Sequence, residues 1–199
     1  MSQEDTSWED YYQKTQGRSP RQLLLDALAY FSEGATMQRN AIDLGCGDGT
    51  ESTVLLERGW HVLAIDGQPA AIRRLIEKVP AQHRDRLQTQ VAKFRDVVLS
   101  PADLVHASLS IPFCEPEYFD ALWEKIVTAI QPGGQFAGQF FGVRDSWANE
   151  PDMIFHTEEQ VHKLLENFEI EQLHEMDEDG NAVSGPKHWH VFTVIARKK

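Results

Sequence analysis

Cysteine is scarce. The 199-residue chain holds two, Cys46 and Cys114, too few for a disulfide framework and without the spacing of zinc ligands. That scarcity predicts a reduced, cytoplasmic protein. Long apolar runs are missing. None approaches the roughly 20 residues of a membrane helix, and the opening stretch MSQEDTSWED is acidic and polar, so neither a membrane span nor a secretory leader is expected. Basic residues form the third deficit. Nineteen Lys and Arg face 31 Asp and Glu, for a formal net charge of −12. No basic patch stands out, which argues against a nucleic-acid partner and suits a ligand with a cationic part. Repeats and low-complexity tracts are absent too. The length fits one domain over residues 1–199, expected as a monomer or homodimer.

What is present is an alternation of strand and helix patterns. Ser19, Pro20 and Gln22 read as N-cap, first helical residue and capping-box partner. Leu24, Ala27, Leu28 and Phe31 form the apolar stripe behind them, and Gly34 reads as its stop. Strands are expected at NAIDL (40–44), WHVLAID (60–66), RLQTQVAKF (86–94), ADLVHASL (102–109) and QFAGQFFG (135–142). Helices are expected over Thr50 to Arg58, over 69–79 with Ile72, Leu75, Ile76 and Val79 on one face, and along Phe119, Leu122, Trp123, Ile126 and Ile130 up to a QPGG turn. Thr157 and Gln160 form a second capping box, before a stripe of Val161, Leu164, Leu165 and Phe168. FEIEQLHE and HWHVFTVIA close the chain as two strands. The loop MDEDGNAVSGPK between them is too short for a crossover helix, so they must be antiparallel.

This order predicts a Rossmann-like three-layer α/β/α sandwich, with a mainly parallel seven-stranded sheet and a C-terminal antiparallel hairpin. Residues 1–34 would cap a core of residues 40–199. The ligand crevice belongs at the carboxyl ends of the central strands, where AIDLGCGDGT (41–50) places Gly45, Gly47 and Gly49 at alternate positions behind Asp43. A dinucleotide fingerprint needs a glycine or alanine at position 50, which is Thr50. Asp43 and Asp48 also disfavour a pyrophosphate.

Asp43 with the three alternate glycines, Asp66 closing the second strand 21 residues after Gly45, and the Pro132–Gly133–Gly134 step before strand five resemble the class I S-adenosylmethionine-dependent methyltransferases. The small size and the aromatic WEDYY segment resemble, within that class, the bacterial tellurite-resistance and thiopurine types. The resemblance implies S-adenosylmethionine as cofactor and a small-molecule methyl acceptor. It implies a cofactor site of Asp43, Gly45, Cys46, Gly47, Gly67 and Ala107, with Asp66 on the ribose hydroxyls. Lys93 stands where that family commonly has an adenine-binding acid, leaving Asp96, or Phe94 with backbone groups, for adenine. Tyr12 and Arg18 would turn inward from an N-terminal lid, Arg18 towards an anionic group.

Methyl transfer needs alignment, and only a neutral acceptor needs a base. The acceptor-side residues expected are Phe113, Arg144, Trp147, His156 and His190, with His156 or His190 as candidate base. His188 and His190 share one strand face and Trp189 the other, but no third ligand marks a metal site. His106 reads as a satisfied core histidine, an Arg144–Asp145 pair as a loop brace, and EMDEDG (175–180) as a solvated hairpin tip. A cofactor-binding sensor and a protein or RNA methyltransferase are the rival readings.

Overall fold

The computed structural model describes Trp8 and residues 11–15, 17–31 and 38–199; Gly34 lies outside them. Helix α1 spans Gln22–Ala29. Then β1 (Asn40–Leu44), α2 (Thr50–Glu57), β2 (His61–Asp66), α3 (Pro69–Lys78), β3 (Leu87–Val91) and β4 (Ala102–Ala107) alternate, followed by α4 (Pro116–Ala129), β5 (Ile130–Gly142), β6 (Phe155–His156), α5 (Glu158–Leu164), β7 (Phe168–Ala182) and β8 (Gly185–Lys198). The sheet runs β3-β2-β1-β4-β5-β8-β7, and β6 pairs with β5 off that path. The first five strands are parallel, and β8 is antiparallel to both β5 and β7. The expected seven-strand path is therefore present, with one short extra strand. Among the described residues no helix is long and apolar enough to cross a membrane.

Both faces of the sheet are covered, which is why β1 and β4 are almost continuously buried. Ile42, Val105, Phe136, Phe140 and Phe192 pack with Trp123 and Ile126 of α4 and Val161 of α5. On the other face Ala41, Ala64, Leu104 and Ile195 meet Leu24 and Leu28 of α1, Leu55 of α2 and Leu75 of α3. The strand order reverses between β1 and β4, so a crevice opens at their carboxyl ends.

Local expectations fail in three places. Helix α1 begins after Arg21, not Ser19. Glu51 Oε1 accepts the Arg21 N–H at 3.0 Å, so a distant carboxylate takes over an end that a serine was expected to cap. Ile76 is 42% exposed, since only Ile72, Leu75 and Val79 of that stripe reach the core. The polar stretch read as a loop is strand: β7 and β8 pair down to Ala182 and Gly185. That far end of the hairpin is largely polar and exposed, so apolar alternation could not reveal it. The α5 capping box forms as expected, with Thr157 Oγ1 accepting the Gln160 N–H at 3.2 Å and Gln160 Oε1 the Thr157 N–H at 2.8 Å.

Candidate active site

The turn after β1 is left-handed at each of its glycines, with φ of +79° at Gly45, +54° at Gly47 and +75° at Gly49. The N–H groups of Gly45 and Cys46 both donate to Ile65 O, at 2.8 and 2.9 Å. A Cβ on Gly45 would lie 2.3 Å from Ser110 Cβ, and Ser110 Oγ donates to Leu44 O at 2.5 Å. The turn is thereby locked between β2 and the loop after β4. Asp48 accepts from Thr50 Oγ1 at 2.8 Å and from Lys78 Nζ at 3.0 Å, tying α2 to α3.

Asp66 gathers the site. Its Oδ2 accepts the Gly47 N–H at 2.9 Å, and its Oδ1 accepts the Gln68 N–H at 2.8 Å and the Tyr12 hydroxyl at 3.3 Å. Burial raises the Asp66 pKa against those three donors. Burial, and then the Asp66 charge, also pushes the Tyr12 phenol far up. The Tyr12 ring comes to 3.5 Å from where a Gly47 Cβ would stand. Gly47, Asp66 and Tyr12 are thus brought together as expected. Cys46 lies buried beneath them, its thiol pKa raised chiefly by burial. Gly67 follows Asp66 directly, and Ala107 ends β4, fully buried. Ala92 N–H donates to the main-chain Asp66 O at 3.0 Å, so Lys93 and Phe94 leave β3 beside the end of β2. Asp96, the alternative for adenine, is exposed and pairs with Arg95 at 3.5 Å.

Two residues expected at the ligand face elsewhere. Asp43 is buried and accepts from Ser52 Oγ at 2.6 Å, and its Oδ1 lies 3.0 Å from His106 Nδ1. It holds α2 and β4 on β1 because a buried carboxylate must be hydrogen-bonded. His106 is only half satisfied, for Nε2 is buried without a partner among the described residues. Arg18 forks onto Glu51, at 2.6 and 2.5 Å. Burial would raise the Glu51 pKa, but Arg18 and the Arg21 N–H hold it at about 2.

An aromatic wall lies on the α1 face of β5 and β8. Ring centroids of Trp8 and Phe113 lie 4.9 Å apart, Phe113 and Trp147 6.4 Å, Phe141 and Trp147 6.1 Å, and Trp147 and Trp189 5.9 Å. Phe113 and Trp147 stand together there as expected. Sequence reasoning missed Phe141, Trp189 and the buried pair behind them, Lys187 and Asp145. The alternation Lys187, Trp189, Val191 on one strand face could have signalled it. Burial lowers the Lys187 pKa and Asp145 opposes that shift. Asp145 is therefore not Arg144's partner.

Arg144, His156 and His190 lie off this wall. His190 is on the opposite face of β8, where Nε2 meets Glu175 Oε1 at 2.8 Å and Nδ1 accepts the Arg144 N–H at 3.0 Å. Arg144 bridges Glu175 and Asp177 at 2.6 Å each, and His188 bridges Asp177 and Asp179. The acidic stretch is thus a cross-strand ion network, not a free tip. Glu175, Asp177 and His190 could present ligand atoms to a metal, but the Arg144 guanidinium already holds both carboxylates. His156 sits in the core against Phe119 and Phe140, with centroids at 4.7 and 5.3 Å. Its Nδ1 has no partner among the described residues, and burial lowers its pKa to about 4. An unfolded histidine titrates near pH ~6.5. Below that pH the unfolded chain takes up a proton that the folded one refuses, so stability falls from about pH 6.5 to 4. Urea unfolding at pH 7 and pH 5 should show a smaller acid loss in His156→Leu than in the parent; equal losses would place the acid sensitivity elsewhere.

Residues 41–134 match the family described as a methyltransferase domain. The carboxy-S-adenosyl-L-methionine synthase of Vibrio parahaemolyticus is 30% identical over 140 residues, 67% of this chain and 57% of that protein. The chain thus spans little more than half the length of the curated relatives it matches. Among solved structures, TehB from Haemophilus influenzae aligns with a TM-score of 0.74 at 18% identity, over 96% of this chain and 67% of that one. The N-methyltransferase NodS from Bradyrhizobium japonicum, in complex with S-adenosyl-l-homocysteine, aligns with a TM-score of 0.67 at 16% identity, over 89% and 84%.

Proposed function

We infer a methyl-transfer function from one premise: the chain belongs to the class I S-adenosylmethionine-dependent methyltransferases. The observation that carries the reading is the Asp66 carboxylate, buried at the end of β2 and bonded to the turn it faces. A carboxylate has about four acceptor positions, and only the Tyr12 hydroxyl among its three donors is a side chain. A ribose hydroxyl can take that place. Gly47 lets a ligand as well as the Tyr12 ring approach the backbone. Asp66, facing the turn from the end of β2, suits a ligand with a cationic sulfonium. The fit is therefore good: Asp66 holds the ribose, Gly45 to Gly47 lie along the methionine part, and Lys93 and Phe94 flank adenine.

The bound cofactor supplies a methyl group on a good leaving group. The chain's own task is to align and to exclude water. Phe113, Trp147 and Trp8 form an apolar wall that desolvates a small acceptor and directs its lone pair at the methyl carbon. As that bond forms, the carbon–sulfur bond breaks and its electrons return to sulfur. The charged groups in the wall, Lys187 and Asp145, are closed on each other, and His156 and His190 lie elsewhere. The acceptor therefore arrives as its own nucleophile: a thiolate or a metalloid oxyanion, needing no base.

The test is calorimetric titration with S-adenosylhomocysteine, then turnover of labelled cofactor on thiol, metalloid and hydroxyl acceptors. Binding with turnover on thiolate or metalloid supports the reading; binding without turnover on any acceptor favours a sensor. The curated relatives supply a second reading, that the cofactor itself is remodelled. Mass spectrometry separates the two: S-adenosylhomocysteine with a methylated acceptor, or a heavier nucleoside.

A further inference from the structure

The two edges of the sheet are built differently. β7 carries six acidic residues and no Lys or Arg, and its register shifts between Ile170 and Gln172. Charge and a bulge are the usual protections of an exposed edge. β3, at the other edge, pairs with β2 alone. Its residues, LQTQV, include no charge and no proline, and its ladder has no register shift. The Ala92 N–H bonds Asp66 O, so in the alternating parallel ladder Gln88 and Gln90 face β2. Thr89 and Val91 then turn their N–H and C=O groups outward, while the Leu87 N–H is already taken by Arg84 O. Among the described residues no strand pairs with that outer side.

The surroundings indicate what would fit. Residues 69–95 hold seven Lys and Arg against two Asp and Glu, in a chain of net charge −12. The overall acidity had concealed this local basic segment. Arg84 and Arg86 precede β3, their guanidinium groups bonded only to backbone carbonyls and His83, and Lys93 follows it, while Arg95 is paired with Asp96 and Glu115. Val91 is 50% and Val98 70% exposed, and the Val98 N–H reaches Gln90 Oε1 at 3.3 Å, so apolar surface lies along the same edge. A second copy paired through its own β3 would set two basic segments against each other. A nucleic acid would use the charge but neither the valines nor the backbone groups.

We propose that the outer edge of β3 is a docking site for an acidic protein segment that joins the sheet as an extra strand. Main-chain bonds to Thr89 and Val91 would give affinity, and the flanking basic residues would select an acidic partner. Its seat adjoins Lys93 and Phe94, at the adenosine end of the site. The proposal stands apart from the methyl-transfer reading, because the edge groups of Thr89 and Val91 and the charges of Arg84 and Arg86 are no part of the cofactor site.

The probe is an acetylated, amidated heptapeptide of alternating glutamate and valine, titrated by fluorescence anisotropy and followed by amide exchange. Binding is expected, with slowed exchange at Thr89 and Val91. A peptide of equal charge with proline in place of valine should bind at least about tenfold more weakly, since it cannot complete a ladder. Thr89→Pro should abolish binding while S-adenosylhomocysteine affinity is retained. Arg84→Glu, which leaves the edge backbone intact, should weaken binding about fivefold or more. Equal affinity for the proline peptide, no binding at about millimolar peptide, or binding of a single-stranded oligonucleotide in place of the peptide would each overturn the proposal.

Discussion

Asp145→Ala is expected to lower the unfolding free energy by about 3–5 kcal/mol, the cost of breaking a buried ion pair from one side. The Asp145 and Lys187 side chains are 0% and 1% exposed. Asp145 also accepts the Trp147 N–H at 3.0 Å and the His190 N–H at 3.2 Å, so alanine strands an ammonium and two backbone donors together. The rings of Trp147 and Trp189, with centroids 3.9 and 4.5 Å from Lys187 Nζ, compensate by about 2 kcal/mol. The double variant Asp145→Ala/Lys187→Met should recover much of the loss, because it removes the orphaned charge. Urea unfolding of the three proteins makes the comparison. A single-variant loss under about 1 kcal/mol would mean the pair is solvated in solution.

The second large effect concerns the cofactor. Asp66→Ala should weaken S-adenosylhomocysteine binding about a hundredfold, roughly 3 kcal/mol, since hydrogen bonds to a charged group contribute about 1.5–3 kcal/mol each. Alanine also releases the Gly47 N–H that the carboxylate holds at 2.9 Å, so turn order and ribose contact are lost together. Tyr12→Phe separates the two roles. It deletes the hydroxyl on Asp66 Oδ1 and leaves the Gly47 and Gln68 bonds in place, so cofactor affinity should hold or rise. Calorimetry on both variants decides it. Unchanged affinity in Asp66→Ala removes the ribose assignment, and a large loss in Tyr12→Phe would make the hydroxyl a direct ligand.

The cofactor side was far more legible than the acceptor side. Gly45, Gly47 and Asp66 act through one turn and one strand end, so their spacing along the chain carries their geometry. Asp43 and Arg18 have the right residue type near the right place, but spacing could not show that Ser52, His106 and Glu51 claim them. On the acceptor side, His156 and Trp147 share one connector and lie on opposite sides of the sheet. Their fates depend on which way β5, β6 and β8 present their faces.

The amino-acid sequence alone determined the strand and helix order, the parallel core with its antiparallel end, and the glycine turn with its acid. These follow from periodicity and backbone freedom, which are properties of neighbouring residues. Tertiary structure alone decided that Asp145 belongs to Lys187 and Arg144 to Glu175 and Asp177, that His156 is a core residue, and that β3, among the described residues, is an edge strand paired with β2 alone. Each of those depends on contacts between residues far apart in the chain, and on the burial that settles which charges must find a partner.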